Sequence, residues 1–452
     1  MSQIGLDRPE LADVRLERNL RAVVSVWLPC FVVVVATGLC LFGLSWWMSR
    51  DPHGGARLGV VVGVASASSL VWVMLLSGLL DRTDRYRSVV SLLLVLAIPT
   101  AVLLLVYGLR PVGGAVLLAG ACYLAIHAAQ ALYLATTENM VADLAPPQWP
   151  STRTAMLGQL PQQVGAMVAP AIAGLLIAGG ALWNVAAIAL LALAGSLVAM
   201  VTVRTRFTQL RTQAAQARAS DVGTSGVLRT MAHDVRGSMR LIVHHHELVY
   251  IVVLGILSNL VMFPFYAVLP AYIAEYDLPE RSQALLFGRA AAAYAFGLLA
   301  SSLLLLRWRR RLGARRGLGL ATAAFVGVCV LVTLVTLVKS GVLLIGALVV
   351  CGALFAVLMS VAGAVWLDLT PAPVRVRVFA LRRLVAFSSI PVGTMLMGFG
   401  GAAVGYHSFI RGLTVAVLIL TGGWWLAFRQ RIPEAHSSDA PSRGASQRVC
   451  RE

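Results

Sequence analysis

"LSGLLDRTDRYRSVV", residues 76–90, sets five ionised side chains, Asp81, Arg82, Asp84, Arg85 and Arg87, within seven residues. On either side lie apolar runs, 57–80 and 88–107. Each is close to the roughly 20 residues that carry a helix across a hydrocarbon core of about 30 Å. A charged turn between two such runs is the joint of a membrane hairpin, and the unit recurs in both directions along the chain. Twelve apolar runs can be read, at 22–47, 57–80, 88–107, 112–136, 153–178, 182–203, 248–273, 283–306, 317–338, 341–366, 379–402 and 408–428. Only 12% of the 452 residues are charged, against about a quarter in a soluble domain. The expectation is an all-α membrane protein of twelve transmembrane helices. No small-residue cleavage site ends the first run, so it is expected to stay as a span and not to act as a removable signal peptide.

Net charge is +18, and its distribution assigns it to topology and not to nucleic acid. With residue 1 placed in the cytoplasm, 30 of the 37 Lys and Arg fall on the cytoplasmic side. The other side holds Arg50, Arg57, Arg110, Arg281, Arg289, Lys339 and Arg411. That asymmetry follows the positive-inside rule and places both termini in the cytoplasm. Cys30, Cys40, Cys122, Cys329 and Cys351 lie inside apolar runs without paired spacing, which argues against disulfides and metal binding. His244, His245 and His246 are consecutive and splay around a helix, so they read as interfacial residues or a pH sensor and not as a metal triad. No cofactor is expected.

Residues 203–247 are the one long interior loop, and they divide the chain into an N-tail (1–21), a six-helix bundle (22–203), a basic linker (204–247), a second bundle (248–428) and a C-tail (429–452). Arginines in the linker alternate with Leu, Val and Met at partly helical spacing, as suits either a helix on an anionic leaflet or a solvated connection. The halves echo each other. "DLAPPQWPSTRTAM" (143–156) follows the fourth run and "DLTPAPVRVRVFAL" (368–381) the tenth; each precedes a helix with proline and glycine, Pro170 and Gly174 in one and Pro391 and Gly393 in the other. Matching features in two six-span halves are the mark of a transporter repeat with its site between the halves.

The opening loop is similar to the signature loop of the major facilitator superfamily, Gly-x-Leu-Ala-Asp-Arg-x-Gly-Arg. Leu79, Asp81, Arg82 and Arg85 match it; Ser77, Leu80 and Asp84 depart from it. It looks most like the enterobactin-exporter and macrolide-efflux branch. The resemblance implies that the loop aspartates form half of a breakable latch to the start of the eleventh helix, where Arg375 and Arg377 lie. A carboxylate is favoured at a helix N-terminus and beside arginine. "GAMVAPAIAGLL" (165–176) resembles the superfamily's antiporter motif through Gly165, Pro170, Gly174 and Leu176, which implies export. "PVGTMLMG" (391–398) resembles a further pattern of the exporter branch.

Polar residues inside spans are costly and nominate a pathway. Tyr123, His127, Gln130 and Glu138 share one helix face; Gln159, Gln162 and Gln163 give the fifth span such a face, and Asn259 and Tyr266 the seventh. The first span contains no acid. Proton coupling therefore falls to Glu138, unless that residue pairs with Arg153 at the helix exit, or to His127, unless it is a packing histidine. Arg289 either holds an anionic cargo or reaches to the outer interface. The expected function is proton-coupled export of a moderately hydrophobic small molecule, a drug, siderophore or other secondary metabolite, by a monomer in a bacterial inner membrane. An importer on the same fold and a transport-inactive sensor are the competing readings, and an enzyme would want catalytic groups clustered at an interface.

Overall fold

The computed structural model describes residues 9–50, 54–80, 84–108, 113–144, 151–180, 182–218, 237, 239–307, 314–370 and 375–429. These form α1 (Pro9–Ser49), α2 (Gly54–Leu80), α3 (Arg85–Gly108), α4 (Gly113–Leu144), α5 (Ser151–Ala178) and α6 (Leu182–Arg218). After the linker come α7 (His246–Ala274), α8 (Glu280–Arg307), α9 (Ala314–Leu337), α10 (Gly341–Leu369), α11 (Arg375–Phe387), α12 (Ser389–Val404) and α13 (Tyr406–Phe428). Among the described residues there are twelve stretches long and apolar enough to cross a membrane, the eleventh (Leu384–Val404) running from the last turn of α11 through α12. In lipid the backbone has no partner but its own helix, so apolar composition and helix go together. Buried hydroxyls obey the same constraint: Thr37, Thr100, Thr136, Thr322, Thr414 and Thr421 each donate to the carbonyl four residues earlier.

Connections of a few residues cannot span the membrane, so successive spans joined by them alternate in direction. The end where the chain enters α1, where the linker lies and where α13 finishes is called the tail end here, and the opposite one the far end.

The two halves are the same bundle built twice. In the first, α2 packs on α4, α3 on α4 and α6, and α1 on α5; in the second, α8 packs on α10, α9 on α10 and α13, and α7 on α12. Between the halves α5 meets α8 and α2 meets α12, with α1 and α2 also touching α7.

One expected helix is broken. The run at 379–402 was expected as a single helix, whereas the structure interrupts it at Ser388, between α11 and α12. Pro391 lacks the N–H that would bond residue 387. The adjoining carbonyl of Ala386 accepts from Ser389 Oγ (2.8 Å) and from Asn259 Nδ2 of α7 (2.9 Å). At the far end Gly405 turns the chain with φ +85°, a conformation that favours glycine. The Glu275 carboxylate at the end of α7 accepts the N–H groups of Tyr406 and His407, capping α13.

Candidate functional site

A cavity of about 270 Å³ lies between the halves at mid-height. From the first half α4 contributes Tyr123, His127 and Gln130, α1 contributes Phe42 and Ser45, and α5 contributes Gly165, Ala169 and Pro170. From the second come Phe263 and Tyr266 of α7, Phe287 of α8 and Thr394 of α12. Among the described residues, none that lines it is Asp, Glu, Lys or Arg. Tyr123 and His127, one turn apart, stack with ring centroids 6.2 Å apart and planes at 12°. The Nδ1 atom of His127 is buried without a hydrogen-bond partner among the described residues. Ser66 and Thr394 donate their hydroxyls to their own helices, and Tyr123 is hydrogen-bonded to Ser45 of α1.

Toward the far end the cavity is roofed by rings. Phe42 stacks on Phe287 (4.6 Å, 24°) and meets Tyr266 edge-on (6.0 Å, 75°), while Trp46, one turn further along α1, also stacks on Phe287 (6.0 Å, 19°). A further turn along, the Arg50 guanidinium sits 3.8 Å over the Trp46 ring, and its Nε lies 3.8 Å from Glu280 Oε1 of the other half. Burial pulls the Arg50 pKa below its ordinary value, and the Glu280 charge opposes that shift.

Beside this roof the halves touch backbone to backbone at two crossings. A Cβ on Gly59 would lie 2.7 Å from Gly398 Cα, and one on Gly174 would lie 2.8 Å from Gly288 Cα. No side chain fits either place. The α5 motif makes two contacts at once: a Cβ on Gly165 would strike Val34 Cγ1 of α1 at 2.5 Å, and Gly174 meets α8. On α2, Gly55, Gly59 and Gly63 stand four residues apart and face Tyr406, Gly398 and Met395 in turn. That ladder, and the Phe42, Trp46, Arg50 ladder on α1, escaped the reading of the sequence. Both have spacing of four, which is the signal that could have found them.

The other nominated residues disperse. Glu138 lies eleven residues from His127 toward the tail end, about 16 Å along α4, and its Oε1 accepts from Gln162 Nε2 at 2.7 Å. Gln159 is exposed; Gln163 is half-buried, its Oε1 without a hydrogen-bond partner among the described residues. Asn259, 1% exposed, holds the broken eleventh span and does not line the cavity, whereas Tyr266 does. Arg289 is exposed and does not line it either.

Of the expected latch, Asp81 and Arg82 lie outside the described residues, as do the side chains of Arg375 and Arg377 at the start of α11. Arg85 Nη1 donates to the Asn139 carbonyl of α4 at 2.8 Å, within the first half. Asp84 Oδ1 accepts the Tyr86 N–H at 3.2 Å, as a cap to α3.

No family model and no curated protein matches this chain. Solved structures do. A POT family transporter in complex with 5-aminolevulinic acid superposes with TM-score 0.64 at 12% identity, covering 92% of this chain and 97% of its own. A bacterial homolog of the human lysosomal transporter Spinster, in an inward-facing and unoccupied conformation, gives 0.64 at 11%, covering 91% and 97%. A mutant of the nucleoside transporter NupG gives 0.66 at 12%, covering 89% and 99%. At such identities the likeness is one of fold, the twelve-helix arrangement of major facilitator transporters.

Proposed function

We propose that the protein is a secondary transporter that exports a moderately hydrophobic small molecule across a bacterial cytoplasmic membrane in exchange for protons. The observation that carries this reading is a central cavity walled by both halves and roofed at one end by contacts between them. With 30 of 37 Lys and Arg on the tail end, that end is cytoplasmic and the roof shuts the cavity from outside. Rocking of the bundles formed by 22–203 and 248–428 would part the α5–α8 and α2–α12 crossings and expose the cavity outward. One chain supplies both walls, so the monomer is the working unit.

Export is supported by the α5 sequence that resembles the antiporter motif and that sits at the seam between α1 and α8. His127 is the titratable imidazole at the cavity and Glu138 the carboxylate deeper toward the tail end; one or both would carry the coupled proton. The latch of Asp81, Arg82 and Arg85 with Arg375 and Arg377 would hold the tail end shut while the far end is open.

Purified protein in liposomes tests this with acridone, an uncharged fluorescent tricycle. An acid interior drives acridone in if the exchange is antiport; an alkaline interior drives it in if cargo and proton travel together. Uptake that ignores the gradient in both cases would sink the coupled reading.

A further inference from the structure

We infer that the cavity selects uncharged, planar aromatic cargo that presents one hydrogen-bonding edge, with the rings of the second half holding its faces and His127 and Gln130 reading its edge. The inference rests on the transport reading for the cargo's passage, and on the cavity alone for its chemistry. Two features of the cavity lead to it.

The first is charge. Among the described residues that line it, none has an acidic or basic side chain except His127 with its imidazole. A cation or anion entering would lose water and meet no counter-charge, a penalty that sets ions against neutral molecules of the same shape. Glu138 is about 16 Å along α4 from His127 and is bonded to Gln162, while Arg289 is exposed; neither lines the cavity.

The second is the difference between its sides. Phe263, Tyr266 and Phe287 present ring surface from the second half, and Phe42 continues it from α1. Aromatic pairs favour stacked or edge-on neighbours, which flat cargo can supply and a branched aliphatic cannot. Facing them, His127 has a buried Nδ1 with no hydrogen-bond partner among the described residues, and Gln130 offers an amide three residues along the same helix. A neutral imidazole has one donor and one acceptor nitrogen, and an amide has both kinds of group. A ring N–H or carbonyl on the cargo edge would pair with His127 Nδ1, otherwise buried without a partner among the described residues, or with the Gln130 amide, and such pairing is where polar specificity comes from.

The test uses three molecules with one skeleton and different charge: acridone (neutral), 10-methylacridinium (cation) and acridine-9-carboxylate (anion). Equilibrium binding to the detergent-solubilised protein is read by the probe's own fluorescence, so that it does not depend on transport. Acridone should bind about a hundredfold more tightly than either ion. Gln130→Leu should weaken acridone about tenfold, and Gln130→Glu should gain binding of the cation while leaving the anion excluded. Equal affinity for the three probes, or no gain of the cation in Gln130→Glu when that variant elutes as wild type in size-exclusion chromatography, overturns the selectivity. Selective binding without gradient-driven uptake in liposomes supports the selectivity and counts against the transport reading instead.

Discussion

The two walls of the cavity differ in kind. The first half brings a polar stripe on α4, Tyr123, His127 and Gln130, set among apolar residues of α1, α2 and α5 that include Phe42. The second half brings Phe263, Tyr266, Phe287 and Ile390, with Thr394 bonded back to its own helix. The bundles share one packing pattern, so the difference lies in side chains and not in architecture. A repeated scaffold supplies two surfaces that can rock against each other. On the proposed reading, divergence of the lining gives one surface the task of orienting cargo and the other the task of covering it with ring faces.

That contrast can be broken at several points. The largest effect is expected where the walls are brought together. Gly174→Leu puts a side chain into a backbone crossing 2.8 Å from Gly288 Cα; overpacking strain of about 1–3 kcal/mol should hold the α5–α8 seam apart. Liposome uptake should fall below roughly a tenth of wild type, and with the native cysteines replaced, a reporter Ser45→Cys in the cavity lining should become reactive to a cysteine reagent confined to the far end. Next comes the polar wall. His127→Leu should raise the acridone Kd about tenfold through the loss of one hydrogen bond, and it should flatten the pH dependence of uptake if His127 carries the proton.

The ring wall should respond less. Phe287→Leu keeps apolar area and loses the stacks with Phe42 and Trp46; a change of roughly threefold in Kd is expected from a single aromatic pair. The smallest functional effect belongs to Asn259→Ala. That residue bonds the Ala386 carbonyl and does not line the cavity. The variant should bind acridone as wild type does and should lose about 1 kcal/mol of stability, seen as a lower Tm. A changed Kd with an unchanged Tm would return Asn259 to the pathway.

Much of this molecule was legible before any fold was known. Hydropathy found the twelve spans because lipid imposes helix on every apolar run of that length, and the first span, expected at 22–47, is Val23–Ser49. The stripe of Tyr123, His127 and Gln130 was legible because helical spacing states which residues share a face. It does not state where that face points at each level. Glu138 is on the same stripe, yet lies beyond the cavity; Asn259 and Tyr266 are two turns apart on α7, and one meets α11 while the other meets the cavity. Pro391 was readable as a weak point of the eleventh span, but the partners of the Ala386 carbonyl that hold the break at Ser388 lie across helices, and neither hydropathy nor spacing reports those. The glycine ladder of Gly55, Gly59 and Gly63 was passed over for a different reason: small residues at intervals of four are common in membrane helices, and only the facing Tyr406 and Gly398 make these consequential.

Parting of the far end is the step on which the account turns, and one distance reports it. Arg57 near the start of α2 and Arg411 near the start of α13 are both exposed, on opposite halves and at the far end. With the native cysteines replaced, spin labels at Arg57→Cys and Arg411→Cys measure the gap by pulsed dipolar resonance in liposomes. A second, longer distance should appear when acridone and a pH gradient drive exchange, and it should vanish when the gradient collapses. A single distance that stays fixed while acridone flux proceeds would contradict the account.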